Sequence, residues 1–179
     1  MGSEMCIRDS SKSLQWIITD LICGAYYNAI QMARLLLESI IQAYWLTLMF
    51  KSFDDQIKHA RRMDEDGSSF RTDMIWYLDL KKSEKEFIIN LYRSLSAKSH
   101  VSAETMDKII QKEDRAFIYV YDEETLNNCI NLIENVLDVM FSLTVDVFPK
   151  IRRKVKKTIR EIEAKGKKLN LPLTFKRTS

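Results

Sequence analysis

The fold is decided by the apolar stretch at residues 13–50, which reads SLQWIITDLICGAYYNAIQMARLLLESIIQAYWLTLMF. Its side chains are apolar almost all round a helical projection, which is typical of a helix buried at the centre of a domain. Gly24 is the expected break or close packing point, because glycine disfavours a helix interior. The stretch therefore predicts a central helical element that is interrupted at Gly24.

Composition extends the helical prediction to the whole chain. The 179 residues are 46% hydrophobic and 30% charged, and they include four Gly and two Pro, which are too few for many tight β-turns. We expect an all-α fold, a single-domain helical bundle of about six to seven helices. Residues 1–12 are expected to be a non-native or disordered leader, residues 13–166 the helical domain and residues 167–179 a basic tail.

Several classes of chemistry lack their signatures in this sequence. The three cysteines show no C-x-x-C spacing, and neither His59 nor His100 has a metal-site pattern around it. No glycine-rich phosphate loop, nucleophile elbow or dinucleotide fingerprint occurs. We therefore expect no metal and no cofactor. Charged residues interrupt the apolar runs, and no signal-peptide pattern precedes them, so we expect no membrane association and a cytoplasmic location.

A seam of polar residues crosses the central stretch at three- and four-residue steps. Within it, Arg34 and Glu38 are four residues apart, which predicts an ion pair inside one helix. The alternative is that Glu38 also reaches Arg93 or His100 on a neighbouring helix. Either contact would offset the cost of burying these charges.

The other helices follow from end signals and periodicity. A capping box, in which Ser83 and Glu86 satisfy each other's backbone donors, is predicted to start the helix that carries Arg93. In the helix before it, the expected core anchors are Ile75, Trp76 and Leu78. The further predicted helices span residues 54–64, 70–80, 103–113, 123–147 and 150–166.

The C-terminal part of the chain is strongly basic. Between residues 150 and 177, twelve Lys or Arg occur with two Asp or Glu, whereas the other residues carry 16 positive and 23 negative side chains. A basic helix attracts nucleic-acid phosphates. The alternative is a solvated face on an ordinary packing helix. The expected phosphate contacts are Lys98, Arg152, Arg153, Lys156 and Lys157.

Arg93 and His100 are the pair best suited to chemistry. Seven residues apart on a helix, they share one face and lie about 10 Å apart along the axis. A ligand, a helix end or a second copy of the chain must therefore bring them together. The alternative is that both are ordinary residues of a solvated helix face.

Three segments resemble the HEPN superfamily of small helical domains, and within it uncharacterised archaeal proteins of similar layout. They are residues 25–38, 91–100 and 137–141, which read AYYNAIQMARLLLE, LYRSLSAKSH and LDVMF. Many HEPN domains are metal-independent ribonucleases with an R-x4–6-H motif. The resemblance therefore implies that Arg93 and His100 are catalytic, and that Glu38, Arg34 and Ser96 support them.

The implied reaction is RNA cleavage by the ribose 2′-hydroxyl, in a defence or toxin–antitoxin context. His100 would be the general acid and base, and Arg93 would hold the scissile phosphate. The resemblance also implies a homodimer with a composite cleft, and it allows a nucleotidyltransferase-type protein partner. The alternative function is a non-catalytic helical dimer that binds a protein or a nucleic acid.

Overall fold

The structure, a computed structural model, describes residues 2–65, 70–99 and 123–147, with side chains from residue 12 onward except at 64 and 145–147. Every regular element within these ranges is a helix, which confirms the predicted all-α class. The elements are α1 (Gly2–Ile22), α2 (Tyr26–Met49), α3 (Phe53–Glu65), the 3₁₀ helix η1 (Thr72–Tyr77), α4 (Lys82–Ser99) and α5 (Glu123–Val147).

Some predicted features lie outside the described residues. They are His100, the helix at 103–113, the basic helix with Arg152, Arg153, Lys156 and Lys157, and the tail at 167–179. The chain divides into two compact units, Met1–Leu143 and Thr144–Ser179, with the boundary inside α5. The contacts described below all lie within the first unit.

Gly24 separates α1 from α2, as the sequence predicts. It adopts a φ of 75°, in the left-handed region that favours glycine. The Gly24 amide donates to the Leu21 carbonyl at 3.2 Å, and the Ala25 amide donates to the Asp20 carbonyl at 2.7 Å. This pair of bonds is a Schellman motif, which satisfies the last carbonyls of α1 and turns the chain into α2. Helix α1 itself begins at Gly2, within the segment expected to be a leader.

Helix α2 is the centre of the first unit and packs against α1, α3, α4 and η1. Its apolar positions recur at three- and four-residue steps, so that one wide face is excluded from water. The residues of α2 that are buried are Tyr26, Ala29, Ile30, Ala33, Leu36, Leu37, Ile41 and Tyr44. This confirms that the stretch chosen from the sequence forms the core.

The segment before α4 differs from its prediction. The sequence predicts a helix at residues 70–80 with Trp76 in the core, but the structure has a short 3₁₀ helix in which Trp76 is 49% exposed. Ile75 and Leu78 are buried, as predicted, and Met74 takes the place of Trp76 as the third buried residue. A 3₁₀ helix has three residues per turn, so Trp76 is rotated by about 120° from the buried Ile75 and is turned away from the core.

The start of α4 also differs from its prediction. The helix begins at Lys82, and the Lys81 amide donates to Glu84 Oε2 at 2.8 Å. A glutamate at the third helical position thus reaches back to the cap residue, as in a capping box, but the predicted Ser83 and Glu86 are not the residues that do so. Glutamate makes this contact with any residue at the cap, because the donor is the backbone amide.

Helices α3 and α5 lie close to their predicted ranges. Helix α3 spans Phe53–Glu65, one residue longer at each end than predicted, and α5 spans Glu123–Val147. None of the described helices is both long and apolar enough to cross a bilayer. The buried stripe of α5 recurs at three- and four-residue steps and consists of Cys129, Ile133, Val136, Val139 and Leu143.

Candidate functional site

Helix α4 presents three distinct surfaces. Its buried face consists of the apolar residues Ile88, Leu91 and Leu95. Beside it lies a half-buried polar stripe of Tyr92, Ser96 and Ser99, whose spacings of four and three residues place them on one side of the helix. Arg93 lies beyond this stripe and is exposed. The stripe therefore separates Arg93 from the core.

Helix α2 contributes an ion pair to the same region. Arg34 Nε lies 3.2 Å from Glu38 Oε1, and the two side chains are only 21% and 15% exposed. This confirms the predicted pair within one helix. The Nε–H is buried and donates no hydrogen bond to any described residue, so the contact is an electrostatic one.

Arg34 also joins α2 to α4. Its Nη1 donates a hydrogen bond to Ser99 Oγ at 3.1 Å, and the Ser99 hydroxyl donates in turn to the Ser96 carbonyl at 3.0 Å. Ser99 is the last residue of α4, where unsatisfied carbonyls form the negative end of the helix dipole. A cation beside this end is favourable, so Arg34 stabilises the final turn of α4.

Glu38 meets α4 through Tyr92. Burial raises the pKa of the Glu38 carboxyl, while the Arg34 charge and a hydrogen bond with the Tyr92 side chain act in the opposite direction. Desolvation is the largest of these effects. Glu38 therefore contacts Tyr92, the neighbour of Arg93 in the sequence, and the alternative contact with Arg93 is not made among the described residues.

The structure brings three of the predicted site residues together. Arg34 and Glu38 are paired, and Ser96 supplies the carbonyl to which Ser99 is bonded. Arg93 is exposed and makes no ion pair or hydrogen bond with any residue that the structure describes. Its guanidinium is therefore available to solvent or to a ligand.

Lys98 lies exposed on the last turn of α4. Burial raises the pKa of the Cys129 thiol, and the Lys98 charge lowers it to a smaller extent. Cys129 is 1% exposed on the buried stripe of α5. The Lys98 charge therefore acts on a buried group of α5, while the Lys98 side chain itself is exposed.

Two members of this cluster, Tyr92 and Ser99, are missed by sequence reasoning. Tyr92 lies next to Leu91 and Leu95 in the helical repeat, so its ring fits the apolar face, but its phenol has a polar tip that needs a partner when half-buried. The available signal was the polar stripe itself, because Tyr92, Ser96 and Ser99 recur at helical spacing, as do Arg34 and Glu38. This spacing marks each stripe in the sequence, but not the contact between the two stripes.

The arrangement can hold the end of α4 in one position and leave Arg93 accessible. Within the described ranges, no group of three or more His, Cys, Asp or Glu side chains is placed to hold a metal ion. No protein-family model, curated protein or solved structure matches this chain.

Proposed function

We propose that this protein is a metal-independent endoribonuclease of the HEPN type, with Arg93 and His100 as its catalytic residues. The observation that carries the proposal is the hydrogen bond from Arg34 to Ser99. Ser99 directly precedes His100 in the sequence. A partly buried, charged contact from another helix therefore holds Ser99, the residue that precedes the proposed acid and base in the sequence.

Arg93 has the exposure that phosphate binding requires. Its planar fork of donors can bind two phosphate oxygens at once, and none of those donors is occupied by another described residue. In the transition state, Arg93 offsets the charge that develops on the phosphoryl oxygens.

The reaction needs one group to move protons near neutral pH. His100 takes the proton from the 2′-hydroxyl, whose oxygen then attacks the adjacent phosphorus. The P–O5′ bond breaks, and a 2′,3′-cyclic phosphate forms. The departing 5′-oxygen is protonated by a histidine in its acid form, which a second copy of the chain supplies across a composite cleft. Each cleft thereby uses two copies of the motif.

Arg34, Glu38 and Ser96 act as positioning residues in this proposal, together with Tyr92 and Ser99. Their contacts fix the rotation of α4 relative to α2, and this rotation determines where Arg93 points. Groups held by packing and hydrogen bonds keep a reactive geometry that loose side chains lose. Lys98 and the basic residues beyond α5 would add contacts to RNA phosphates.

The test is incubation of end-labelled single-stranded RNA with the purified protein in EDTA. We expect the wild type to leave cyclic-phosphate ends, and Arg93→Ala and His100→Ala to lose cleavage while keeping their thermal stability. Ser94→Ala, at an exposed position beside Arg93, is the matched control and should cleave normally. Cleavage that persists in both alanine variants would disprove the assignment.

The homodimer is tested separately by light scattering at micromolar concentration. A mass of twice 21.1 kDa is expected. Mixing an excess of His100→Ala chains into the wild type should lower the activity below that of the same amount of wild type alone, because each mixed dimer then has one histidine where the reaction uses two. A monomer that cleaves RNA would refute the composite cleft.

A second candidate function is a helical module that binds a protein, such as a nucleotidyltransferase-type partner. The observation in its favour is a group of exposed aromatic residues on η1 and α4: Trp76 at 49%, Tyr77 at 62% and Phe87 at 46% exposure. Aromatic residues are enriched in protein interfaces. Under this alternative, Trp76→Ala and Phe87→Ala abolish partner binding, while Arg93→Ala leaves it unchanged.

A further inference from the structure

Helix α3 exposes a basic face that the proposed active site does not use. Lys58, Arg61 and Arg62 recur at three- and four-residue steps, so they lie on one side of the helix. Together with Asp54, Ile57 and Glu65, they line a shallow, open cleft of about 500 Å³. All six of these residues lie on α3, so the cleft is an open groove along one face of the helix.

The three cations of this cleft have no carboxylate partner among the described residues. Asp54 lies four residues before Lys58, and Glu65 lies four residues after Arg61, which is the spacing at which helical ion pairs form. Neither pair comes within 4.0 Å in the structure. The cations therefore remain open to an anion from outside the protein.

The cleft lies on a helix whose start is firmly held. Ser52 Oγ accepts a hydrogen bond from the Asp55 amide at 3.1 Å, which caps α3, and Gln56 Nε2 donates to the Phe50 carbonyl at 2.8 Å. The rings of Phe50 and His59 stack with centroids 3.9 Å apart. These contacts fix α3 against the end of α2, so binding an anion costs little ordering of the backbone.

We infer that the α3 cleft binds the phosphate backbone of a single-stranded polynucleotide. From Lys58 to Arg62 the helix rises about 6 Å, which spreads the positive charge over more than one phosphate group. The inference rests on the proposed function for the choice of RNA as the polynucleotide. It adds a second point of attachment, on an element separate from the helix that carries Arg93.

An anionic membrane surface is the less favoured ligand. A helix that lies on a membrane places Trp, Phe or Leu beside its cations, so that an apolar face enters the lipid. Ile57 is the single apolar residue among the described residues that line this cleft. Three cations and two carboxylates line the cleft beside this one apolar residue, so its surface is polar with a small excess of positive charge and favours a hydrated polyanion over lipid.

The test measures binding without cleavage. A short fluorescent RNA with 2′-O-methyl groups throughout cannot be cut by 2′-hydroxyl attack, and its anisotropy reports the dissociation constant at several salt concentrations. The cleft variant is Lys58→Gln, Arg61→Gln and Arg62→Gln combined. The matched control is Lys12→Gln, Lys81→Gln and Lys82→Gln combined, which removes the same charge at exposed positions outside the cleft.

We expect the cleft variant to lose at least about tenfold in affinity at moderate salt. The slope of the logarithm of its binding constant against the logarithm of the salt concentration should fall in magnitude by about 2, because three phosphate contacts are lost and each contributes about 0.7. The control variant should keep both values near the wild type. Equal losses of affinity in the two variants would show that only net charge matters and would overturn the inference. Unchanged affinity in both variants would also overturn it.

Two further measurements distinguish RNA binding in the cleft from membrane binding and from binding at Arg93. Vesicles containing phosphatidylserine should bind the wild type and the cleft variant equally, and a loss confined to vesicle binding would overturn the RNA assignment. The RNA measurement is repeated with Arg93→Ala alone and combined with the cleft substitutions. The cleft substitutions should lower the affinity by the same factor with and without Arg93, because the two groups of cations lie on separate helices. A protein that binds but never cleaves would refute the proposed nuclease and leave the cleft intact.

Discussion

Arg34 Nη1 donates to Ser99 Oγ at 3.1 Å, which joins the middle of α2 to the last residue of α4. The two residues are 65 positions apart in the sequence. The same guanidinium holds Glu38 at 3.2 Å, so one side chain serves both an ion pair within its helix and a contact between helices. Removing either partner leaves a largely buried cation with less compensation.

Ser99→Ala should destabilise the fold by about 1.5 kcal/mol, because it removes a hydrogen bond to a charged donor in a partly buried site. The measurement is the free energy of unfolding in urea. Ser94→Ala is the matched control, since Ser94 is exposed on the same helix, and its cost should stay within about 0.5 kcal/mol. Equal costs would show that the Ser99 hydroxyl contributes nothing.

Glu38→Gln should change how stability depends on pH. Burial raises the folded-state pKa of Glu38 above its ordinary value of 4.5, so the wild type gains stability from the protonated form at low pH and loses it as pH rises through the folded-state pKa. Glutamine does not titrate. The variant should therefore become more stable relative to the wild type as pH rises above 4.5.

This comparison is made by urea unfolding at a series of pH values for both proteins. The difference between the two curves isolates Glu38 from the other titrating groups. A constant difference across the series would mean that burial does not control the ionisation of Glu38.

Gly24→Ala should destabilise the fold by about 1–2 kcal/mol, because a Cβ is disfavoured at a φ of 75°. For a chain of this length, each kcal/mol lowers the melting temperature by about 2–4 °C, and calorimetry measures it. Cys23→Ala is the neighbouring control, at an exposed position before the turn. A melting temperature of Gly24→Ala that matches the control would contradict the left-handed turn.

Leu95→Ala should cost about 2–5 kcal/mol, because Leu95 is fully buried where α4 packs against the core. Phe87 lies on the same helix but is 46% exposed, so Phe87→Ala should cost much less despite removing a larger side chain. Chemical unfolding of both variants gives the comparison. The reverse order would mean that α4 is rotated about its axis relative to the structure.

Sequence patterns predicted the features that depend on neighbouring residues. The Arg34–Glu38 pair follows from four-residue spacing, and the turn at Gly24 follows from the backbone freedom of glycine. Trp76 was misplaced because an apolar side chain does not reveal whether its backbone is an α-helix or a 3₁₀ helix. The start of α4 was misplaced because Glu84 makes its contact with a backbone amide, which every candidate cap residue offers.

Contacts between helices were beyond such patterns. The position of Arg34 in the helical repeat of α2 does not predict that Ser99 lies beside it. That contact depends on how α2 and α4 are rotated and shifted against each other. Tyr92 shows the same limit, because its ring fits the core face while its hydroxyl selects Glu38. The two polar stripes could be recognised separately, but their pairing required the packed structure.

The Arg34–Ser99 contact also determines how the end of α4 opens. Helix ends usually fray independently of the rest of a protein, and their amide protons exchange quickly with solvent. Here the last turn cannot unwind without breaking the Ser99 bond to a guanidinium anchored in the central helix. Amide protection in that turn should therefore follow the stability of the α2–α4 contact and not that of a free helix end.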